Sequence, residues 1–403
     1  MSSINEKMLT GCFFQKVFKN PFLILDEICS PLYKRIFMNK LPINKKKILF
    51  VTFNGVYTCN PKAIAKEILK RNLDWELVWA TKPERDYKDM PKQIKHVTQY
   101  TEEFYREAAS AKIWIANGIS LSYLGVVKKK EQVYFQTWHG AIGIKRFDTN
   151  KDKKWIKKII SDGKFTDYCI SNSTFETNLY KNTFWKNVKI LEFGHARNDI
   201  LFKNDSDNIK KKLYQRFNIP ENAKIALYAP TFRDDKNLEY YSIDYLKLRD
   251  ALKKRFGGNR IILTRLHSRM RGKRSIFDST TPDFVIDTTS YDDIQDLMVL
   301  ADVGITDYSS WICEFIETKK PGFLFGTDVK DYNNERGFLF PLSDLPYPLA
   351  ENNNQLTENI LNFQIEPFIE KCNNFLSQKG CIDDGHAAER IVDMLTKIIN
   401  EEK

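Results

Sequence analysis

Trp138-His139-Gly140 closes the apolar run Val133-Tyr134-Phe135-Gln136-Thr137 and opens into Ala141-Ile142-Gly143-Ile144-Lys145-Arg146. An extended stretch of β-branched and aromatic residues thus delivers a histidine to a glycine-flanked turn, with basic residues close behind. In an open parallel sheet, ligands bind in the crevice outside the carboxyl ends of the strands. A histidine placed there can take a proton near neutral pH, because its unperturbed pKa is about 6.5. The same triplet alone would equally suit a histidine satisfied in a tight turn, so the weight falls on the company it keeps.

Other polar clusters follow apolar runs in the same way. Gly194-His195-Ala196-Arg197-Asn198-Asp199 comes after the run ending at Leu191, Pro230-Thr231-Phe232-Arg233-Asp234-Asp235 after Ala229, and His267 directly after Leu266. Asp307-Tyr308-Ser309-Ser310 follows Ile305 and leads into Trp311, Cys313, Phe315 and Ile316, spaced as a helix. Small hydroxyl residues at a helix start expose N–H groups and the positive end of the dipole, which suits a phosphate. An ordinary N-cap is the other reading of Ser309. Arg336, in Glu335-Arg336-Gly337-Phe338, can hold phosphate oxygens bidentately. Asp205-Ser206-Asp207 has the form of a metal-binding pair of carboxylates, but in so polar a linker it reads as a solvated turn. Neither G-x-G-x-x-G nor G-x-x-x-x-G-K-[ST] occurs, so no dinucleotide fingerprint or Walker loop is present.

The elements that must position these residues alternate strand and helix. Strands are expected at 47–53, 76–80, 112–116, 133–137, 168–171 and 188–191, with a helix from Ala63 to Leu69 after a turn at Asn60-Pro61. After the polar stretch 203–209 the series resumes at 224–229, 261–266, 284–287, 303–307 and 322–325. Such βαβ alternation implies mostly parallel sheets covered by helices. At 403 residues the chain exceeds one typical core, so two domains are expected. The pattern divides it into a segment 1–44, a first Rossmann-like domain 45–205 and a second 206–403, whose last helix is placed to pack back on the first.

Composition sets outer limits. Hydrophobic content of 42% with 29% charged residues describes a globular chain. The seven cysteines show no C-x-x-C spacing, which argues against a disulfide framework or a zinc site and for a reducing compartment. The net charge is +11, and residues 1–50 hold nine Lys or Arg against Glu6, Asp26 and Glu27, a net +6. That segment also carries Met8, Leu9, Phe13, Phe14, Val17 and Phe18 at helical spacing, then Phe22-Leu23-Ile24-Leu25. No run reaches the roughly 18 apolar residues of a spanning helix, and no signal-peptide cleavage pattern follows a short apolar core. Basic flanks with a bulky apolar face suit helices lying in a membrane interface. A nucleic-acid partner is disfavoured, since the charge accompanies large apolar residues and no RNP, helix-turn-helix or zinc-finger pattern is present.

The ordered set of motifs resembles the CDP-glycerol glycerophosphotransferase family, the teichoic acid primases and polymerases. The matching elements are Tyr57-Thr58-Cys59-Asn60-Pro61-Lys62, Gln136-Thr137-Trp138-His139-Gly140, Gly194 to Asp199, Tyr228 to Asp234, Leu266-His267, Thr306 to Ser310, Glu335 to Phe338 and Asp383-Asp384-Gly385. They run in order over roughly 47–398. Three departures stand out: His195-Ala196 replaces the usual Tyr-Pro, Ala141-Ile142-Gly143 the usual Thr-Pro-Leu, and Leu345-Pro346-Tyr347-Pro348 lacks Pro-Gly-Pro. The resemblance implies a GT-B-like α/β fold with two doubly wound domains facing a cleft, peripheral attachment at the cytoplasmic face of the membrane, and transfer of a polyol phosphate from CDP-glycerol or CDP-ribitol with release of CMP. The acceptor it implies is a membrane-linked glycan or a polyol-phosphate chain of a teichoic acid or capsule-type polymer.

For that chemistry His139 is expected to be the general base, with His267 a second catalytic group. Thr231, Arg233, His267, Asp307, Ser309, Ser310 and Arg336 are assigned to the donor nucleotide and pyrophosphate, Asp307 with its carboxylate bracing the turn. Trp138, Gly140 and Lys145 are assigned to the acceptor side. His195 is read as packed in the structure, His96 and His386 as surface histidines. No metal and no cofactor are expected. The rival enzyme reading is a GT-B glycosyltransferase with a nucleotide-sugar donor. The charged apolar start generates one prediction: deleting residues 1–40 should abolish co-sedimentation with anionic vesicles while leaving the melting temperature of the remaining body intact, since interfacial binding sums apolar and electrostatic terms. A truncated protein that still pellets with vesicles would place the membrane contact elsewhere.

Overall fold

A computed structural model of the chain describes residues 40–118, 124–140, 142–146, 153–203, 206–233, 238–267 and 280–401. The basic amphipathic start up to residue 39, Ala141, Asp205 and Asp234-Asp235 lie outside the described residues.

The first domain is built on seven strands, β1 (Asn44–Val51), β2 (Glu76–Thr81), β3 (Ile94–Thr98), β4 (Ala111–Ala116), β5 (Val133–Gln136), β6 (Tyr168–Ser171) and β7 (Lys189–Glu192). They pair in parallel in the order β3-β2-β1-β4-β5-β6-β7. Ile48 to Val51 are fully buried, as expected of a strand covered on both faces, which must read as a continuous apolar run. Helix α1 (Cys59–Lys70) lies on one face with Ile64, Ala65 and Ile68 against Ile48, Phe50 and Trp79. Its first turn contains Asn60-Pro61, where a turn was expected; a proline there lacks an N–H that the helix would leave unpaired in any case. Helix α2 (Glu102–Ser110) covers the opposite face, capped by Thr101, whose hydroxyl accepts from Phe104 N. Helices α3 (Lys153–Gly163) and α4 (Thr174–Thr183) complete the layer.

The second domain repeats the plan. After α5 (Ser206–Phe217), strands β8 (Ala223–Tyr228), β9 (Asn259–Thr264), β10 (Val285–Asp287), β11 (Val303–Thr306), β12 (Gly322–Phe325) and β13 (Leu349–Ala350) form a parallel sheet ordered β10-β9-β8-β11-β12-β13. It is flanked by α6 (Tyr245–Phe256), α7 (Ile294–Leu300), α8 (Trp311–Phe315), α9 (Val329–Glu335), α10 (Asn353–Leu361) and α11 (Ile365–Lys379). The strands foreseen from apolar runs are all present within a few residues. The edge strands β3 and β13 were not foreseen. β3 is interrupted by exposed Lys95 and His96, and β13 is two residues long, between Pro348 and Glu351. In both sheets the strand order reverses between the first strand and the fourth, so each domain has its binding crevice where Val51 and Ala116, or Tyr228 and Thr306, end.

The domains exchange pieces. Helix α12 (Ala387–Asn400) ends the described chain and returns to the first domain, burying Ile391, Val392 and Leu395 against α1. Asp199 caps it by accepting from Ala387 N at 2.9 Å and Ala388 N at 2.8 Å. In the other direction Ile142 and Ile144 leave the first domain and enter the core of the second. Lys62 pairs with Asp293 at 2.6 Å, and Arg197 with Glu314, across the seam. Among the described residues no helix is long and apolar enough to cross a membrane.

Because α12 completes the core of a domain nearly two hundred residues upstream, Leu395→Ala should cost about 2–5 kcal/mol, the usual range for a fully buried leucine, read as a lower denaturant midpoint. An unchanged midpoint would mean that the helix does not hold that core.

Candidate active site

His139 owes its direction to its neighbour. Trp138 sits at φ 51°, in the left-handed region, where an aromatic residue is strained. The turn is held at both ends of that peptide. Trp138 N donates to the Gln136 amide oxygen Oε1 at 3.0 Å, while Asn60 Nδ2 donates to the carbonyls of Thr137 at 3.0 Å and Trp138 at 3.3 Å. The indole is buried among Trp155, Phe184 and Trp185. The chain therefore reverses at Trp138 and presents His139 to the cleft, its ring beside those of Trp138 and Phe53.

The tautomer of His139 follows from one contact. Nδ1 lies 2.6 Å from Asn117 O. A carbonyl only accepts, so Nδ1 carries the hydrogen and Nε2 keeps its lone pair. The ring is exposed to cleft solvent, yet protein surrounds it on its other sides. That enclosure, opposed by the Asn117 carbonyl and helped by the Arg197 charge, lowers its pKa from 6.5 toward about 4. The imidazole is neutral at pH 7 and able to accept a proton.

Behind the turn lies a buried polar chain. Asn60 Oδ1 accepts from Arg197 N at 3.0 Å, which fixes the amide so that Nδ2 faces His195 Nδ1 at 3.2 Å. His195 is fully buried, and its Nε2 donates to Glu176 at 2.9 Å. His195 is thus a packed residue, as expected from the sequence. Asn60 lies in a motif that was noted, but its clamp on Trp138 and the acceptor role of Asn117 were missed. Asn117 was findable in principle, since it follows β4, the strand beside β5 at the point where the sheet order reverses.

The second domain faces this turn. A Cβ on Gly140 would come within 3.7 Å of Ser310 Oγ, so the His139 loop and the loop after β11 meet across the cleft. Ser310 occupies the N-cap position of α8 without making a side-chain capping bond, and both Ser309 and Ser310 are half-buried. The helix is only five residues long, so any hold on an anion rests on side chains more than on its dipole. His267 is exposed just past β9, with the Phe232 ring 5.6 Å away. Thr231 has its amide on Asp307 Oδ1 at 2.8 Å, and its buried Oγ1 makes no hydrogen bond among the described residues.

Two assignments need correction, and a third residue braces as expected. Arg233 was assigned to the donor, but it is 7% exposed and held by Asp328 in a bidentate pair at 2.7 and 2.9 Å and by Asp307 at 2.8 Å. Rings of Tyr240, Tyr308 and Tyr332 enclose it. Two carboxylates neutralise the guanidinium, which makes it a brace between β8, β11 and α9. Asp307 braces the turn, as expected: its Oδ1 accepts from the amides of Thr231 and Tyr308 and its Oδ2 pairs with Arg233, so it offers a ligand little. Lys145 was assigned to the acceptor side; its ammonium instead lies near Asp307, Arg336 and Arg233 in the second domain. Trp138 contributes a wall rather than a polar contact, and Gly140 supplies the closeness of the two loops.

Beside His139, at the reversal point of the first sheet, opens a cavity of about 390 Å³ lined by Phe53, Tyr100, Trp155, Lys82 and Gln99. Aromatic surface with a few polar groups suits an amphipathic ligand such as a sugar or polyol. Among the described residues no group of three or more His, Cys, Asp or Glu is arranged to hold a metal ion.

Two Rossmann-like domains with their strand-end crevices opposed, a neutral histidine on one side and serines and cations on the other, define a GT-B-like protein. The model of the CDP-Glycerol:Poly(glycerophosphate) glycerophosphotransferase family matches residues 32–397, and the chain belongs to that family. It is 31% identical to the teichoic acid glycerol-phosphate transferase of Staphylococcus aureus (strain NCTC 8325 / PS 47) over 379 residues, 89% of this chain and 95% of that one. It is 27% identical to the teichoic acid poly(glycerol phosphate) polymerase of Bacillus subtilis (strain 168) over 92% of its own length, and spans about half, 52%, of that relative. The solved structure of the wall teichoic acid polymerase TagF superposes with a TM-score of 0.79 at 27% identity, covering 96% of this chain and 97% of that one. A His-to-Asn variant of the same polymerase, soaked with CDPG, matches equally well, with a TM-score of 0.79 at 26% identity over the same shares of the two chains.

The Arg233 brace makes a prediction that separates scaffold from ligand contact. Arg233→Ala leaves Asp307 and Asp328 buried and uncompensated, which typically costs about 3–5 kcal/mol. The melting temperature should fall sharply. A variant of unchanged stability with only a raised donor KM would return Arg233 to the phosphate site.

Proposed function

We propose that this chain transfers a polyol phosphate, glycerol phosphate foremost, from a CDP-activated donor to a hydroxyl of a membrane-linked glycan or polyol-phosphate acceptor, with release of CMP, in the synthesis of a teichoic acid or capsule-type polymer. The observation that carries this reading is the pairing of a base-competent His139 Nε2 with the Ser310 loop across the cleft. Family membership and the glycerol-phosphate relatives support CDP-glycerol as the donor.

The steps follow from the groups. The donor lies along the second domain, its nucleotide over the crevice between β8 and β11, its diphosphate toward Ser309, Ser310, Arg336 and His267. The acceptor occupies the aromatic cavity of the first domain, its hydroxyl toward His139. As the hydroxyl oxygen bonds to the β-phosphorus, its proton passes to His139 Nε2 and the bond from the β-phosphorus to the bridging oxygen breaks, so CMP leaves with both electrons of that bond. Charge on the phosphoryl oxygens is met by positioned donors and cations, which supply most of the acceleration in such transfers. General base catalysis adds about 10²–10⁴-fold. No cofactor enters this scheme. We place the protein at the cytoplasmic face of the membrane, attached through its basic apolar start, where lipid-linked acceptors are presented.

His139→Gln keeps size and hydrogen-bonding capacity but is not a base at neutral pH. It should lose most CMP release from CDP-glycerol while retaining donor affinity and melting temperature, because the base acts only as the hydroxyl loses its proton. In the parent enzyme the rate should fall as pH drops through the lowered pKa of His139, between 6.5 and about 4; solvent access to the ring keeps the limb inside that window. The assay, run with CDP-glycerol, CDP-ribitol and a nucleotide-sugar in parallel, reads CMP or nucleotide release with a lipid-linked acceptor. An active His139→Gln enzyme would remove the base assignment, and turnover of the sugar donor alone would replace the reading.

A further inference from the structure

The residues after the His139 turn do not return to the first domain. Ile142 and Ile144 are buried in the core of the second, while Gly143 and Lys145 between and after them are only half-buried. The backbone of this strap is tied to the segment that carries Arg336. Arg146 N donates to Gly337 O at 3.1 Å, Leu339 N to Ile144 O at 2.8 Å, and Lys145 forms an antiparallel bridge with Phe338. Lys145 is thereby fixed two residues of register from Arg336, six residues downstream of His139.

Among the described residues the Lys145 ammonium has no carboxylate of its own. Its charged neighbours are Asp307, Arg336 and Arg233. Asp307 is already bonded to two amides and paired with Arg233. The half-buried Lys145 makes no hydrogen bond or ion pair with any described residue. Burial, opposed by the Asp307 carboxylate and aided by the Arg336 and Arg233 charges, lowers its pKa from 10.5 to about 8. Lys62 and Lys47, also withdrawn from solvent, have carboxylate partners in Asp293 and Glu107. A cation partly removed from water beside like charges costs free energy unless an anion joins it. The crevice is therefore preorganised for negative charge, beside the turn at Asp307 that leads into Ser309 and Ser310.

We propose that Lys145 is a ligand of the donor's diphosphate, reaching into the second domain on the same strap that positions the base. The donor site is then composite, and closure of the two domains on the donor aligns His139 with the phosphorus through six residues of shared chain. This rests on the donor reading above, and the test separates the two.

Lys145→Met keeps the apolar stem and removes the charge; Lys145→Arg keeps the charge. Inorganic pyrophosphate and cytidine serve as separate probes of the two halves of the donor, by equilibrium binding to the full chain, alongside the steady-state CDP-glycerol assay. Loss of one charge-assisted phosphate contact should weaken pyrophosphate binding about 10- to 100-fold in Lys145→Met, with cytidine binding and melting temperature unchanged and with near-parent behaviour in Lys145→Arg. The parent kcat/KM for donor should fall as pH rises through about 8, where the free enzyme loses the ammonium proton, and Lys145→Arg should lack that limb because a guanidinium stays charged. Pyrophosphate binding that depends on Lys145 in a protein that does not turn over CDP-glycerol would support the anion site while removing the donor reading. Turnover of CDP-glycerol with unchanged pyrophosphate affinity in a folded Lys145→Met variant would overturn the proposal.

Discussion

The left-handed backbone at Trp138 is the constraint on which the site depends. A residue with a large side chain adopts it only where surrounding contacts outweigh a local cost of order 1–3 kcal/mol. Gln136 and Asn60 provide the hydrogen bonds and the indole provides buried aromatic surface. A regular continuation of β5 would carry His139 along the sheet. The reversal instead turns it into the crevice, where Asn117, at the end of the adjacent strand, selects the tautomer. Three elements, β4, β5 and α1, thus converge on one imidazole, and the buried chain through His195 and Glu176 makes the Asn60 clamp rigid in turn.

The second domain uses similar chemistry to opposite ends in neighbouring places. Arg233 and Lys145 both lie near Asp307, and their surroundings give them different roles. Arg233 has two carboxylates and three tyrosine rings, a planar fork matched to partners on two other elements. Its charge is consumed within the fold and aligns the ends of β8 and β11. Lys145 shares a single, already engaged carboxylate, and its charge is left facing the crevice. The brace engages the Asp307 carboxylate with Arg233, so that it is not left over to pair with Lys145.

Exchange of segments between the halves ties these two sites together. The strap 142–146 carries first-domain chain into the second core, and α12 carries second-domain chain into the first. Each domain has part of its apolar core supplied by the other. Sliding of one on the other is thereby restricted. Where the His139 loop meets the loop after β11, the short side chains of Gly140 and Ser310 leave room for the reacting groups.

Much of this was legible in the amino-acid order. Strands buried on both faces demand uninterrupted apolar runs, so nearly every central strand, the two-domain division and the position of His139 at a strand end could be placed from local pattern alone. The motifs carrying the family resemblance, from Tyr57 to Gly385, are likewise local in sequence. Two of the edge strands escaped, β3 because its exposed positions break the apolar run and β13 because it is only two residues long. What only the tertiary structure decided were pairings between distant residues. Arg233 finds Asp328 95 positions away and Asn60 finds His195 135 positions away. Whether an arginine braces the fold or faces a ligand, and on which side of the cleft Lys145 stands, depends on which charges are brought within a few ångströms. Local spacing does not encode that proximity, because it is set by the order in which parallel strands stack and by the strap that crosses between the domains.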